Sequence, residues 1–368
     1  MIMKKMEHYF KAVISGKKRG LTPWLIKSIL LPFSWIYGSF SRCRNWFYDE
    51  GWMKCYIPPV PLVISVGNIV AGGTGKTPVT LMLIQAFYEK YSMAILSRGY
   101  RSKAENLDSP VILCEGQGPL FPSSYCGDEP HIYALRYPKL HVIVGSNRKK
   151  ASRMASKAGV QVIILDDALQ HRKLARDFDI IVIDLNDPFG QNHFLPRGYL
   201  REDVKALKRA HCIILNHVQS QEQFKKMENE IKQYSLAPII GTRYQVTCIR
   251  DLGGNELPSL QRSTVGMFCS IAHPAYFKRL LEDEGALVAA EYSLADHDEI
   301  KEKDLIYFTQ QCIKKGCQLL VCTEKDRVKL RDQLSLDLPI AWIQIEMKIV
   351  EGQEEWQKFL NYTISKIN

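Results

Sequence analysis

The sequence predicts an α/β fold, on three observations. Apolar runs alternate with helix-like stretches. A glycine-rich turn ending in Gly-Lys-Thr joins the first of these runs to a helix. The opening sixty residues concentrate positive charge and aromatic side chains. Residues 60–66 (VPLVISV) read as a buried strand, and the apolar runs 93–96, 111–113, 142–144, 162–165, 180–183 and 212–215 read as its neighbours. Stretches such as 78–90 and 147–158 supply the helices between them, the rhythm of a parallel sheet covered on both faces. Near 239–248 (IIGTRYQVTC) the pattern becomes extended and alternating, which predicts a β-ribbon or linker. A second set of strands (264–269, 287–292, 319–322, 340–344) and helices (from 274 and from 299) then predicts a smaller α/β domain. The expected division is an N-terminal segment 1–58, a phosphate-loop domain 59–240, and a ribbon plus smaller domain 241–368.

The glycine-rich turn carries the strongest chemical signal. Val70, Ala71, Gly72, Gly73, Thr74 and Gly75 precede Lys76 and Thr77, between a predicted strand and a predicted helix. Glycines allow successive backbone N–H groups to point at one anion, a lysine reaches the outer phosphates of a nucleotide, and a threonine hydroxyl can ligate Mg²⁺. Pro78 suits a first helical turn. Val70 stands where the usual eight-residue pattern begins with glycine, so the loop is a variant; the competing reading is a turn that binds nothing. The turn therefore predicts a P-loop NTPase-like sheet domain that binds a nucleotide and Mg²⁺.

With 368 residues, 46% of them hydrophobic, the chain has the composition of an ordinary globular protein and is not disordered. Its ten cysteines include no C-x-x-C pair and no metal-ligand spacing, which predicts reduced thiols in a cytosolic compartment. The net charge is +10, of which residues 1–60 supply seven charges through ten basic and three acidic side chains. Within that segment lies residues 24–40 (WLIKSILLPFSWIYGSF), interrupted by Lys27 and Pro32 and short of the ~20 apolar residues that a spanning helix needs. It is expected to lie on an anionic membrane surface, basic flanks on headgroups and aromatic side chains in the interface. The competing reading is a helix packed on the protein's own core. Nucleic acid is the weaker explanation and is not expected as a partner, because the charge is mixed with aliphatics and no stacking or base-reading module is visible. Nothing in the sequence points to a protein partner.

Three further clusters could carry chemistry. The apolar run 162–165 ends in Asp166 and Asp167, as a strand does when it presents an acid to Mg²⁺ or its water shell; helix-capping aspartates would look the same. Cys126-Gly127-Asp128-Glu129-Pro130 sets two acids before a helix-like stretch, where one could orient a hydroxyl and take its proton. Asp296-His297-Asp298-Glu299 places a histidine among acids in the second domain.

The segments SVGNIVAGGTGKTPV, LSRGY (96–100), GDEP (127–130), DDALQH (166–171), LPRGYLRE (195–202), ADH (295–297) and TEKD (323–326) resemble the tetraacyldisaccharide 4′-kinase family in order and spacing. Local departures are Ala168 where glycine is usual, Arg101 after SRGY, and LPRGYLRE in place of an LPAGPLRE-like run. The resemblance implies transfer of the ATP γ-phosphate to the 4′-hydroxyl of a tetraacylated glucosamine disaccharide 1-phosphate, a lipid A precursor, by a peripheral enzyme on the cytoplasmic face of the inner membrane. It further implies that Lys76 and Thr77 serve the phosphates and Mg²⁺, and that Asp128 is the base, supported by His297. Glu129, Asp166 and Asp167 are then the metal or water-shell candidates, with no choice among them. Arg98, Arg148, Arg172 and Arg197, with Lys149 and Arg201 nearby, are expected around the mouth that takes the sugar phosphate. The alternative from another class is a membrane-recruited P-loop ATPase or switch.

Overall fold

Strand β1 (Leu62–Gly67) is buried along its whole length, as an unbroken apolar run must be when both faces of its sheet are covered. The computed structural model describes residues 6, 9, 10, 12–296, 298, 300–330, 334 and 336–367. Around β1 stand β2 (Met93–Ser97), β3 (Val111–Glu115), β4 (His141–Val144), β5 (Val162–Asp166), β6 (Phe178–Asp184), β7 (Cys212–Asn216) and the long β8 (Ile239–Asp251). Their spatial order is β8-β7-β6-β1-β5-β2-β4-β3. Neighbours run parallel except β3, which lies antiparallel to β4. The apolar run 111–113 did not reveal this: an edge strand with one neighbour and a half-exposed face can be accommodated in either direction. Alternate residues feed opposite faces, so Ile180 and Val182 join the helices Lys76–Phe87, Asp128–Arg136 and Gln353–Ile364, while Ile181 and Ile183 pack under residues 185–231.

Strands β9 (Glu256–Leu257), β10 (Thr264–Cys269), β11 (Leu287–Ser293), β12 (Leu319–Thr323) and β13 (Ile340–Glu351) belong to the same 13-stranded sheet. The link is an antiparallel ribbon in which β13 pairs with β8 from Ala341↔Asp251 to Glu351↔Gly241. The start of β8 pairs with β7, and the start of β13 pairs with β12. The two arms of the sheet are thus attached to opposite ends of the ribbon and run in opposite directions. The carboxyl ends of β1 and β5 therefore point toward those of β10 and β12. Open α/β sheets bind ligands outside the carboxyl ends of their strands, and here two such edges face one cleft.

Within the basic N-terminal region the helix Leu21–Asp49 continues unbroken through Pro32. It meets the body through small residues: Pro23, Ser34, Gly38 and Ser41 are buried, and a Cβ on Gly38 would lie 2.6 Å from the Phe194 ring. The large apolar side chains face outward instead, with Trp24 62%, Trp35 64%, Ile36 67% and Phe40 71% exposed. Among the described residues no helix is long and apolar enough to cross a membrane.

Candidate active site

The phosphate loop starts where β1 ends. Gly67 lies against Leu169 so closely that a Cβ would sit 2.5 Å from the Leu169 Cβ. The loop then reaches the helix Lys76–Phe87 through Gly72 (φ 125°) and Gly75 (φ 89°), backbone conformations that side chains with a Cβ rarely adopt. Polar side chains fix its shape: the Asn68 amide donates to Thr74 Oγ1 at 2.8 Å, and the Asn216 amide, at the end of β7, donates to the Thr74 carbonyl at 3.3 Å. Residues 199–201 pair alongside, the Ala71 N–H donating to the Tyr199 carbonyl at 2.7 Å and the Arg201 N–H to the Ile69 carbonyl at 2.8 Å. Lys76 and Thr77 open the helix, at the end where free N–H groups favour anions.

Two acids follow β5. Asp166 is buried, with its carboxylate on the Ser97 hydroxyl at 3.3 Å. Burial, Glu129 and Asp167 push it up to about 7 against the pull of Arg148 and Lys76. Asp167, at φ 46°, turns the other way. Burial raises its carboxyl too, but Lys76 (3.7 Å) and Arg201 (2.8 Å) together outweigh that and hold it at about 2. Asp128 and Glu129 occupy the first turn of the helix Asp128–Arg136, behind Gly127 at φ 99°. Both face cations from the other arm of the sheet: Lys329 lies 3.4 Å from Asp128, and Lys325 lies 3.4 Å from Glu129 and 3.0 Å from Asp296. Burial works against the Lys325 charge, yet Glu129 and Asp296 hold its ammonium well above the ordinary lysine range.

The structure thus brings Lys76, Thr77, Asp166, Asp167, Asp128 and Glu129 to one cleft. His297 lies outside the described residues; its neighbour Asp296 is drawn to the cleft by Lys325. The four arginines expected to bind substrate are dispersed. Arg98 pairs with Glu105 at 2.8 Å. Arg148 is buried, its guanidinium donating to the Asp166 carbonyl at 2.7 Å. Arg172 docks the N-terminal helix, donating to the Asn45 carbonyl and pairing with Asp49, both at 2.9 Å. Arg197 is half-buried in the 194–201 segment. Sequence reasoning missed Asn216 and the two lysines. TEKD was recognised as a motif, but no local pattern says that Lys325 meets an acid 196 residues away.

Magnesium keeps several waters and takes one or two carboxylates together with substrate phosphates, so it does not need a closed protein cage. Among the described residues no three His, Cys, Asp or Glu side chains form such a cage. The donor set nevertheless fits the ion. Thr77 opens the helix, and the buried, poorly compensated Asp166 carboxylate beside Glu129 is an environment that a dication relieves.

A variant glycine loop on a buried strand, a Lys-Thr pair opening the next helix and strand-end acids define a phosphate-loop protein. A second pair of acids faces that loop's cleft, as an acceptor-activating group would. The family model for LpxK, tetraacyldisaccharide-1-P 4′-kinase, matches residues 26–365, and the chain belongs to that family. Curated relatives named tetraacyldisaccharide 4′-kinase include one from Chlamydia pneumoniae, 35% identical over 96% of this chain and 94% of its own length. Another, from Syntrophotalea carbinolica, is 36% identical over 91% of this chain and 92% of its own. The crystal structure of "apo" form LpxK from Aquifex aeolicus in complex with ATP superposes with a TM-score of 0.73 at 28% identity, covering 92% of this chain and 99% of that one. Membership over nearly the whole chain sets the switch-ATPase alternative aside.

Proposed function

We propose that this kinase transfers the γ-phosphoryl group of ATP to the 4′-hydroxyl of a tetraacylated glucosamine disaccharide 1-phosphate, a late step of lipid A assembly. The observation that carries the reading is the meeting of Lys76 and Thr77 with Asp128 and Glu129 in a cleft bounded by two strand-end edges. The loop N–H groups and the Lys76 ammonium bind the outer phosphates and stabilise the charge that spreads over the transferring group. The acceptor oxygen forms its bond to the γ-phosphorus as the bond to the bridging oxygen of ADP breaks. Asp128, supported by His297, takes the hydroxyl proton. Thr77, Asp166 and Glu129 are the donors we assign to Mg²⁺, which when bound neutralises phosphate charge. Asp167, already held by Lys76 and Arg201, keeps the lysine aimed at the loop.

The exposed Trp24, Trp35, Ile36 and Phe40, on a helix with basic neighbours, support peripheral attachment to the anionic cytoplasmic face of the inner membrane. There the lipid acceptor is within reach. We keep residues 59–240 and 241–368 as the two functional domains, joined by the ribbon, with the correction that the helix Gln353–Ile364 returns to the first domain's core, because Trp356, Phe359 and Leu360 pack there. The reaction is tested by incubating the protein with Mg-ATP and a detergent-dispersed tetraacyl disaccharide 1-phosphate. A second phosphate on the lipid is expected, and ATP hydrolysis without lipid phosphorylation would refute the reading. Flotation with anionic liposomes tests the attachment: changing Trp24, Trp35 and Trp46 to Ser should weaken it, and high salt should weaken the wild type.

A further inference from the structure

The TEKD segment enters the family resemblance but has no part in the reaction as derived so far. The structure gives it one. Its last residue, Asp326, is fully buried and saturated with donors: the Ser270 N–H at 3.0 Å, the Ser270 hydroxyl at 2.5 Å and the Thr323 hydroxyl at 2.6 Å. Ser270 follows β10 and Thr323 ends β12, so this cage sits on the carboxyl edge of the second arm. One turn beyond, Lys329 lays its ammonium on the cage. Its Nζ donates to Ser270 Oγ at 2.6 Å, lies 3.5 Å from Asp326 and extends across the cleft to Asp128 at 3.4 Å. Only a tenth of the Lys329 side chain is exposed, so these contacts act with little screening by water.

We propose that Lys329 is a positioning residue for Asp128: the Ser270–Thr323–Asp326 cage fixes its ammonium, which fixes the carboxylate that receives the acceptor proton. The proposal rests on the reading of Asp128 as that proton acceptor. A brace that only joined the arms would not need a cage of this kind. Arg136 already joins them through Glu324 and the Ile345 carbonyl, and Ser123 through the Val328 carbonyl. What the cage adds is a charge of fixed direction. A carboxylate steadied in one orientation by a fixed ammonium spends more of its time in the geometry that reaches the hydroxyl, an effect on turnover rather than on nucleotide affinity.

The test is a cycle on the full-length protein with Mg-ATP and the lipid acceptor in detergent. K329M should lower kcat by about 10- to 100-fold, with KM for ATP within about threefold of wild type. K329R, which keeps the charge, should recover most of the loss. In a D128N background K329M should cost less than about twofold more, because residues acting through one another are non-additive. Full multiplication of the two losses, or a raised KM with unchanged kcat, would overturn the proposal while leaving Asp128 as the acceptor. A D128N enzyme with normal turnover would overturn the reading on which it rests. If K329M does not fold, S270A removes one contact to the same ammonium. Its expected few-fold loss in kcat should vanish in the D128N background, and a loss that persists there overturns the proposal.

Discussion

On the phosphate-loop side of the cleft, the groups proposed to meet the nucleotide come from one short stretch, and two glycines at positive φ set their directions. On the opposite side, Ser270 and Asp326 stand 56 residues apart in sequence and are joined only by side-chain bonds, while Lys325 reaches an acid 196 residues away. The first side is a backbone device, and its chemistry is compressed into a motif. The second is a side-chain device, and its lysines meet Asp128 and Glu129 only because the ribbon turns the two arms toward each other. Backbone devices should therefore fail through lost chemistry with the fold intact, whereas side-chain devices should couple chemistry to the stability of the contact between the arms.

That contrast can be broken most directly at Lys76. Lys76→Ala removes a charge that follows the γ-phosphate into the transition state, so turnover should fall on the order of 10²-fold or more with little change in thermal unfolding. A large fall in melting temperature, or near-normal activity, would contradict the distinction. The opposite behaviour is expected of Glu324→Gln. It removes the compensating negative charge and leaves the Arg136 guanidinium with neutral acceptors, the new amide oxygen and the Ile345 carbonyl at 3.1 Å, at a site where both side chains are mostly buried. Stability measured by urea unfolding should drop by about 2 kcal/mol, and kcat by only a few-fold.

At neutral pH the smallest expected effect concerns His171, just beyond the strand-end acids. Burial, then Arg148 and Arg176, hold its imidazole at about 4, below its ordinary 6.5. The folded protein thus keeps this side chain neutral where the unfolded chain would take up a proton. Its contribution to stability is complete above pH 6.5 and is lost as pH falls toward 4. His171→Gln should remove from the unfolding free energy a pH slope of at most about 1.4 kcal/mol per unit in that window and change nothing at pH 8. An unchanged acid slope in denaturant titrations would show that another group carries it.

What could be read from the sequence follows the same division. The alternation of strands and helices, the glycine loop and the acid pairs at 128–129 and 166–167 are local patterns, and periodicity or spacing exposes them. The direction of β3 was not legible, because pairing direction at an edge is settled by neighbours. Nor was the unbroken course of the N-terminal helix through Pro32, which interrupts the apolar run in sequence but not the helix. Arg172 was expected at the substrate mouth as a cation for the sugar phosphate, and in the structure Asp49 and the Asn45 carbonyl take up its guanidinium. The roles of Asn216, Lys325 and Lys329 depend on contacts that no window of sequence contains.

The segment 194–203 touches both the helix with the outward apolar side chains and the phosphate loop. The Ser34 hydroxyl donates to the Phe194 carbonyl at 2.7 Å, the Tyr37 and Ser41 hydroxyls donate to the Arg201 carbonyl at 3.3 and 3.2 Å, and Arg42 pairs with Asp203 at 2.6 Å. From its other side, the same segment holds Ala71, Ile69 and Asp167. With the helix attached to a membrane as proposed, these ten residues set the stand-off between that surface and the point where phosphate is handed over. A lipid headgroup has a fixed height above its bilayer. Lengthening or shortening this segment would move the catalytic loop off that level while leaving its chemistry untouched.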